Sequence, residues 1–145
     1  MPTALAPDLW PTDLLSPPLA PTPIAVLKQQ GKALGARTHN FVYGEVETEP
    51  NPQGTTFAHK LVLVAPFIRY RRPLLYVNHG LHPYPATVVE TDLTKPANQG
   101  YELGEVKTEQ ELQDRLREFF SENRVKDILR SLINLSNDVA PPDGE

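Results

Sequence analysis

The stretch that decides the fold covers residues 55–67 and reads TTFAHKLVLVAPF. Its centre, residues 61–65, is an unbroken apolar run of leucine, valine and alanine. A short run of this kind, bounded by turn residues, is typical of a strand that is covered on both faces. We therefore expect residues 55–67 to form a central strand of a sheet, with Pro66 marking a bend or a bulge.

Further strands are predicted on both sides of this run. Residues 39–49 are rich in aromatic and β-branched side chains, and the PNPQG sequence at 50–54 turns the chain into a hairpin. Residues 74–78 (LLYVN) and 86–92 (ATVVETD) predict a third and a fourth strand, and residues 94–104 add a looser edge segment. Because the connections are short, we expect an antiparallel meander of four to five strands.

Helices are predicted before and after the strands. Thr22 is a hydroxyl N-cap before a proline, which favours a helix over 23–37. Thr108 and Glu111 form a capping box for a helix over 109–120. On one helical wheel the apolar residues of 125–133 point opposite to those of 112–120, so a single straight helix could not bury both sets. We therefore expect Ser121 to cap a second helix over 122–135. The predicted fold class is α+β, with an N-terminal helix, the meander and two C-terminal helices packed on it.

Proline content divides the chain into three parts. Seven of the 16 prolines lie in residues 1–23, which predicts an extended arm over 1–22. Residues 23–136 are long enough for a single α+β domain, and 137–145 are predicted to be a disordered tail.

The arm carries apolar side chains at Leu9, Trp10, Leu14 and Leu15. A solvated linker would lack such groups. We expect these four residues to bind a protein partner, or another copy in a homo-oligomer. The alternative is that the arm covers the sheet or the first helix of its own chain.

Several function classes are disfavoured by what the sequence lacks. No cysteine, no G-x-S-x-G turn and no phosphate-binding loop occur, so the sequence offers no thiolate or serine nucleophile and no nucleotide motif. We expect no cofactor. The longest apolar run is far below the roughly 20 residues that cross a bilayer, and the N-terminus does not resemble a signal peptide. We expect a cytoplasmic protein that does not bind a membrane.

One basic cluster occurs, at Arg69, Tyr70, Arg71 and Arg72, within residues 50–89, which contain no acid. It could bind phosphates with Tyr70 stacking on a base, or an acidic protein surface. The interpretation that we favour pairs it with the acidic C-terminal helix of the same chain, because a nucleic-acid footprint normally needs a larger excess of charge.

Two histidines, His79 and His82, lie in a proline-containing loop. Together with Arg71 and Arg72 they could cleave RNA without a metal, the arginines stabilising phosphate charge. The favoured alternative is that the histidines bond to local backbone groups.

Metal sites are also disfavoured, and we expect none. A site built on His79 and His82 with Glu90 or Asp92 has weak ligand spacing. The acidic residues of the first strand recur with period two, which is typical of the solvated face of an edge strand rather than of a magnesium site. These residues are Glu45, Glu47 and Glu49.

The favoured function is noncatalytic protein binding, as an accessory or adaptor protein of a chaperone-like or immunity-type kind. It would engage its partner through the arm and the sheet surface. The alternative is a small metal-independent ribonuclease or a nucleic-acid-binding module that uses the arginine and histidine residues. Geometry separates the two, because the enzyme needs both histidines and an arginine in one cleft.

Overall fold

The computed structural model of the protein describes residues 7–15, 21–50, 53–91 and 100–140, with only the backbone for 100–103. The helices and strands follow in this order: α1 (Pro23–Arg37), β1 (Tyr43–Pro50), β2 (Phe57–Ala65), β3 (Tyr70–His79), β4 (Ala86–Thr91), β5 (Gly100–Val106), α2 (Glu109–Phe120) and α3 (Asn123–Val139). The strands form one antiparallel sheet in the order β1-β2-β3-β4-β5. The predicted α+β fold, including the meander, is confirmed.

The apolar run in β2 is buried on both faces of the sheet, as its sequence predicts. Leu61 and Leu63 face the helices and belong to the hydrophobic core, whereas Val62 and Val64 are buried on the other face. We call this second face, which also carries Lys60, the open face. No helix of the described residues contributes to it, because the helices pack on the core side.

The structure starts β3 four residues earlier than predicted. A 3-10 turn at Pro66–Ile68 follows β2, and Arg69 then adopts a left-handed conformation with φ 54°. This turn reverses the chain at once, so that β3 begins at Tyr70. A register shift opposite Leu61 and Val62 accommodates Pro73 within the strand.

The helix predicted over 109–120 is found at those residues as α2, whereas the boundaries of α3 differ from the prediction. Ser121 ends α2, and its hydroxyl donates to the carbonyl of Arg117 at 2.7 Å. The N-cap of α3 is instead Glu122, without a side-chain capping bond. The helix continues to Val139, so three residues of the predicted disordered tail, 137–139, are helical, and residues 141–145 lie outside the described part.

The position of α1 depends on a close contact between two glycines. A methyl group placed on Gly31 would overlap the backbone of Gly44 in β1, and one placed on Gly44 would lie 2.7 Å from the Cα of Gly31. Both distances are far inside van der Waals contact, so only glycine allows this approach. Gly31 therefore sets the spacing between α1 and β1.

An ion pair between a buried carboxylate and a partly exposed arginine ties α3 to the sheet. The carboxylate of Glu90 in β4 is almost fully buried and contacts the guanidinium of Arg124, which also contacts Glu122 at 2.8 Å. A buried carboxylate is tolerated only when it is paired, because of its desolvation cost. Glu90 is therefore a structural residue that orients the start of α3.

We expect Gly31→Ala to destabilise the protein by about 1–2 kcal/mol. Overpacking against backbone costs roughly 1–3 kcal/mol, and the higher helix propensity of alanine returns at most about 1 kcal/mol. Gly35→Ala should cost less, because the nearest atom is in the movable side chain of Asn40. Urea unfolding measures these effects. The solvent-facing variant Gln29→Ala is the control, and equal stability of Gly31→Ala and this control would contradict the packing argument.

Arg124→Ala should lower the free energy of unfolding by about 2–3 kcal/mol. This is below the roughly 3–5 kcal/mol of a fully buried pair, because Arg124 is partly exposed. The matched control is Arg117→Ala, whose partner Asp114 is a surface residue, with an expected effect under about 0.5 kcal/mol. Adding Glu90→Gln to Arg124→Ala should recover part of the loss in thermal or chemical unfolding. An equal effect of the two single variants would refute the buried-charge explanation.

Candidate functional site

The apolar residues of the arm are exposed. Leu9, Trp10, Leu14 and Leu15 have 84%, 74%, 66% and 96% of their surface accessible. The carboxylate of Asp8 accepts a hydrogen bond from the backbone amide of Trp10 at 3.0 Å, which forms a local turn of the backbone. Residues 7–15 therefore do not cover the sheet or α1 of their own chain, which was the alternative interpretation.

The basic cluster is paired with acids, but not with those of the C-terminal helices. Arg71 binds Glu45 at 2.5 Å and Glu47 at 3.3 Å, both in β1. On the same face Lys60 binds Glu49 at 2.9 Å, and this hydrogen bond raises the pKa of Lys60. The expected pairing with the acidic helix is thus wrong for Arg71, because strand register places it beside the acidic row of the edge strand.

The remaining members of the cluster do not form a phosphate-binding surface with Arg71. Tyr70 packs against the hydrophobic core, and burial raises the pKa of its hydroxyl, so its ring does not stand out for stacking on a base. Arg69 occupies the left-handed turn position and is exposed. Arg72 lies opposite Leu63, on the face away from Arg71.

The residues of the ribonuclease alternative do not converge. Arg71 and Arg72 begin β3, and His79 ends it. His79 follows Arg72 by seven positions along the strand, which corresponds to about 23 Å at roughly 3.3 Å per residue. His82 is exposed in the loop after β3. One phosphate cannot contact both groups, so the arrangement lacks the cleft that this activity needs.

His79 forms a pair with His59 instead. Their Nε2 atoms are 2.6 Å apart, and the ring centroids are 4.7 Å apart. The Nδ1 atom of His79 donates to the carbonyl of Gly80 at 2.6 Å, and the Nδ1 atom of His59 lies 2.9 Å from the Thr48 hydroxyl. Because a carbonyl only accepts, His79 carries its proton on Nδ1. His59 then donates from Nε2, and Thr48 donates to His59.

This assignment gives every ring nitrogen of the two side chains a hydrogen-bonding partner. Burial, followed by the nearby His79, lowers the pKa of His59 to about 4, so His59 is neutral near pH 7. No lone pair is left for a substrate proton. The pair links the start of β2 to the end of β3, at the end of the hairpin away from its turn, and is a structural element of the sheet. The amino-acid sequence does not indicate this pair, since the two positions become neighbours only through the register of these strands.

The candidate metal ligands are likewise engaged elsewhere or separate. Glu90 contacts Arg124, Asp92 lies outside the described residues, and the acidic row of β1 binds Arg71 and Lys60. Within the described ranges no group of three or more acidic or histidine residues could hold a metal ion.

No described helix is both long and apolar enough to cross a membrane.

A cleft of about 230 Å³ lies between α1 and α3 on the core side of the sheet. We call it the α1–α3 cleft. Its floor is formed by leucines of the sheet, and its walls by the second half of α1 and by Phe120 and Leu129. Arg37 is the charged residue that lines it. The sequence gives no sign of this cleft, because it results from the spacing of packed helices.

Comparison of the chain with protein-family models, with curated proteins and with solved structures finds no match.

The depressed pKa of His59 predicts that the protein loses stability on mild acidification. In the unfolded chain His59 has its ordinary pKa of 6.5 and binds a proton below that pH, whereas in the folded chain its pKa is about 4 and it stays neutral down to that pH. Between pH 7.5 and pH 5 this difference amounts to about 2 kcal/mol of destabilisation. Urea unfolding across this range should show a smaller pH slope for His59→Gln than for the wild type. The exposed His82→Gln is the control, and equal slopes in all three proteins would contradict the assignment.

Proposed function

We propose that the protein is a noncatalytic protein-binding accessory or adaptor protein that engages a partner through its proline-rich arm. The observation that carries this proposal is the exposure of Leu9, Trp10, Leu14 and Leu15 on one short segment. Exposed apolar groups at this density are unfavourable in water and are typical of interaction sites. The open face of the sheet is a second surface that a partner could contact.

The local geometry of the arm favours binding without a folded scaffold. A tryptophan buries roughly 150–250 Å² on docking and is a frequent interface anchor. The Asp8 turn holds the backbone before Trp10, and the neighbouring prolines restrict φ. Both reduce the conformational entropy that binding must overcome.

The charge pattern supports a protein partner over a nucleic acid. The cations of the open face, Arg71 and Lys60, already bind acids of the same chain. Nucleic-acid affinity depends on cations that neutralise phosphates and release counterions. A phosphate backbone would have to displace these intrachain carboxylates, so the alternative of a nucleic-acid module receives less support.

Trp10→Ala tests the proposal directly. We expect the variant to keep the stability of the wild type, because Trp10 contributes nothing to the core, and to lose the proteins that co-purify with the tagged full chain from its native host. The tryptophan of the free protein should emit as exposed indole. Leu81→Ala is the matched control, since Leu81 is 82% exposed but lies outside the arm. Retention of all partners by Trp10→Ala, or their equal loss from both variants, would refute a docking role for the arm.

A further inference from the structure

We propose that the α1–α3 cleft is the receptor for the arm of a second copy of this chain. This inference rests on the proposed function, because it takes the arm to be a binding segment. The inference identifies the partner as a second molecule of the same protein and the surface that receives the arm as its α1–α3 cleft, which Trp10 enters.

The size and polarity of the cleft fit a side chain of a protein. Its volume is about 230 Å³, below the roughly 300–1,000 Å³ of pockets that hold cofactors or drug-sized ligands. An apolar cavity of roughly 150 Å³ already accommodates benzene, so an indole has room here. The leucines at its base are buried, and the partly exposed side chains of Leu34, Phe120 and Leu129 provide the apolar surface that the ring contacts.

The charges of the two surfaces are complementary. The arm carries Asp8 and Asp13 and no basic residue. Helix α1 carries no acidic residue, and its exposed Arg37 lines the cleft. Lys28 and Lys32 lie on the other side of α1, where they line a groove beside β1. Arg37 forms no ion pair with another residue in the described ranges. A cation beside an apolar pocket steers an acidic segment toward it and fixes its orientation.

The geometry of the arm favours docking between two molecules. Residues 7–15 are exposed in the single chain, and none of them lines the cleft. The base of the arm is held where the Tyr84 hydroxyl donates to the Pro21 carbonyl at 3.1 Å. From Pro21 an extended chain places Trp10 up to about 36 Å away, which is far enough to reach a neighbouring molecule. Reciprocal exchange of two arms gives a closed dimer.

Two variants separate the arm from its receptor. Trp10→Ala removes the anchor, and Ala33→Glu places a carboxylate at an exposed position that lines the cleft, where it repels the acidic arm. Ala36→Glu is the matched control, because Ala36 is exposed on the same helix but does not line the cleft. Sedimentation equilibrium of the full chains over about a hundredfold range of concentration measures the dissociation constant of self-association.

We expect the wild type and Ala36→Glu to associate with similar dissociation constants, and Trp10→Ala and Ala33→Glu to associate at least tenfold more weakly. Trp10→Ala retains an intact cleft and Ala33→Glu retains an intact arm. An equimolar mixture of the two should therefore form mixed dimers at concentrations where each alone is monomeric. This complementation supports a contact between the arm of one molecule and the cleft of another.

Three outcomes overturn the inference. The wild type is monomeric throughout, the association is insensitive to Ala33→Glu, or a monomer shows blue-shifted tryptophan emission that Ala33→Glu shifts to the red. The last result would place the arm in the cleft of its own chain. The proposed function fails separately, when Trp10→Ala retains every co-purifying partner. Loss of those partners from Trp10→Ala in a monomeric protein would leave the proposed function supported and the second-copy inference refuted.

Discussion

The contact between the backbones of Gly31 and Gly44 is the constraint from which the arrangement of the helices follows. With no side chain between them, α1 lies directly on β1, at one edge of the sheet. Phe120 of α2 and Leu129 of α3 line the far side of the cleft. On the core face of the sheet, α1 thus lies to one side of the centre of β2 and the C-terminal helices to the other, and the α1–α3 cleft lies between them. The two glycines also line this space, so the residues that set the helix position also shape the cleft.

Ion pairing determines which charged surfaces remain available for binding. The cations of the open face are compensated by the acidic row of β1, and the buried carboxylate of Glu90 by Arg124. The cations of α1 have no such partner among the described residues. The formal net charge of −4 therefore conceals a division between a neutralised sheet surface and a basic helix. Total charge alone does not distinguish the two.

Local signals in the sequence predict the elements well, because their causes are local. Proline at N1 and the Thr22 hydroxyl start α1 at the predicted residue, and the capping box does so for α2. Short connections predict the order of the strands. Nonlocal features escape this reasoning: the pairing of His59 with His79 depends on strand register, and the partner of Arg71 depends on which strand lies beside β2. The start of β3 depends on a left-handed Arg69, a conformation that arginine rarely adopts.

The acidic residues of the arm explain how an apolar segment can be both soluble and selective. Four large apolar side chains on an exposed segment would associate with any hydrophobic surface. Asp8 and Asp13 oppose this, because a carboxylate brought against an uncharged apolar surface loses hydration without gaining a partner. A surface that offers an apolar recess with cations beside it avoids that cost. Discrimination between the two kinds of surface arises from this penalty as much as from the attraction of opposite charges. Of the surfaces that the described residues form, the α1–α3 cleft with Arg37 in its lining fits this requirement.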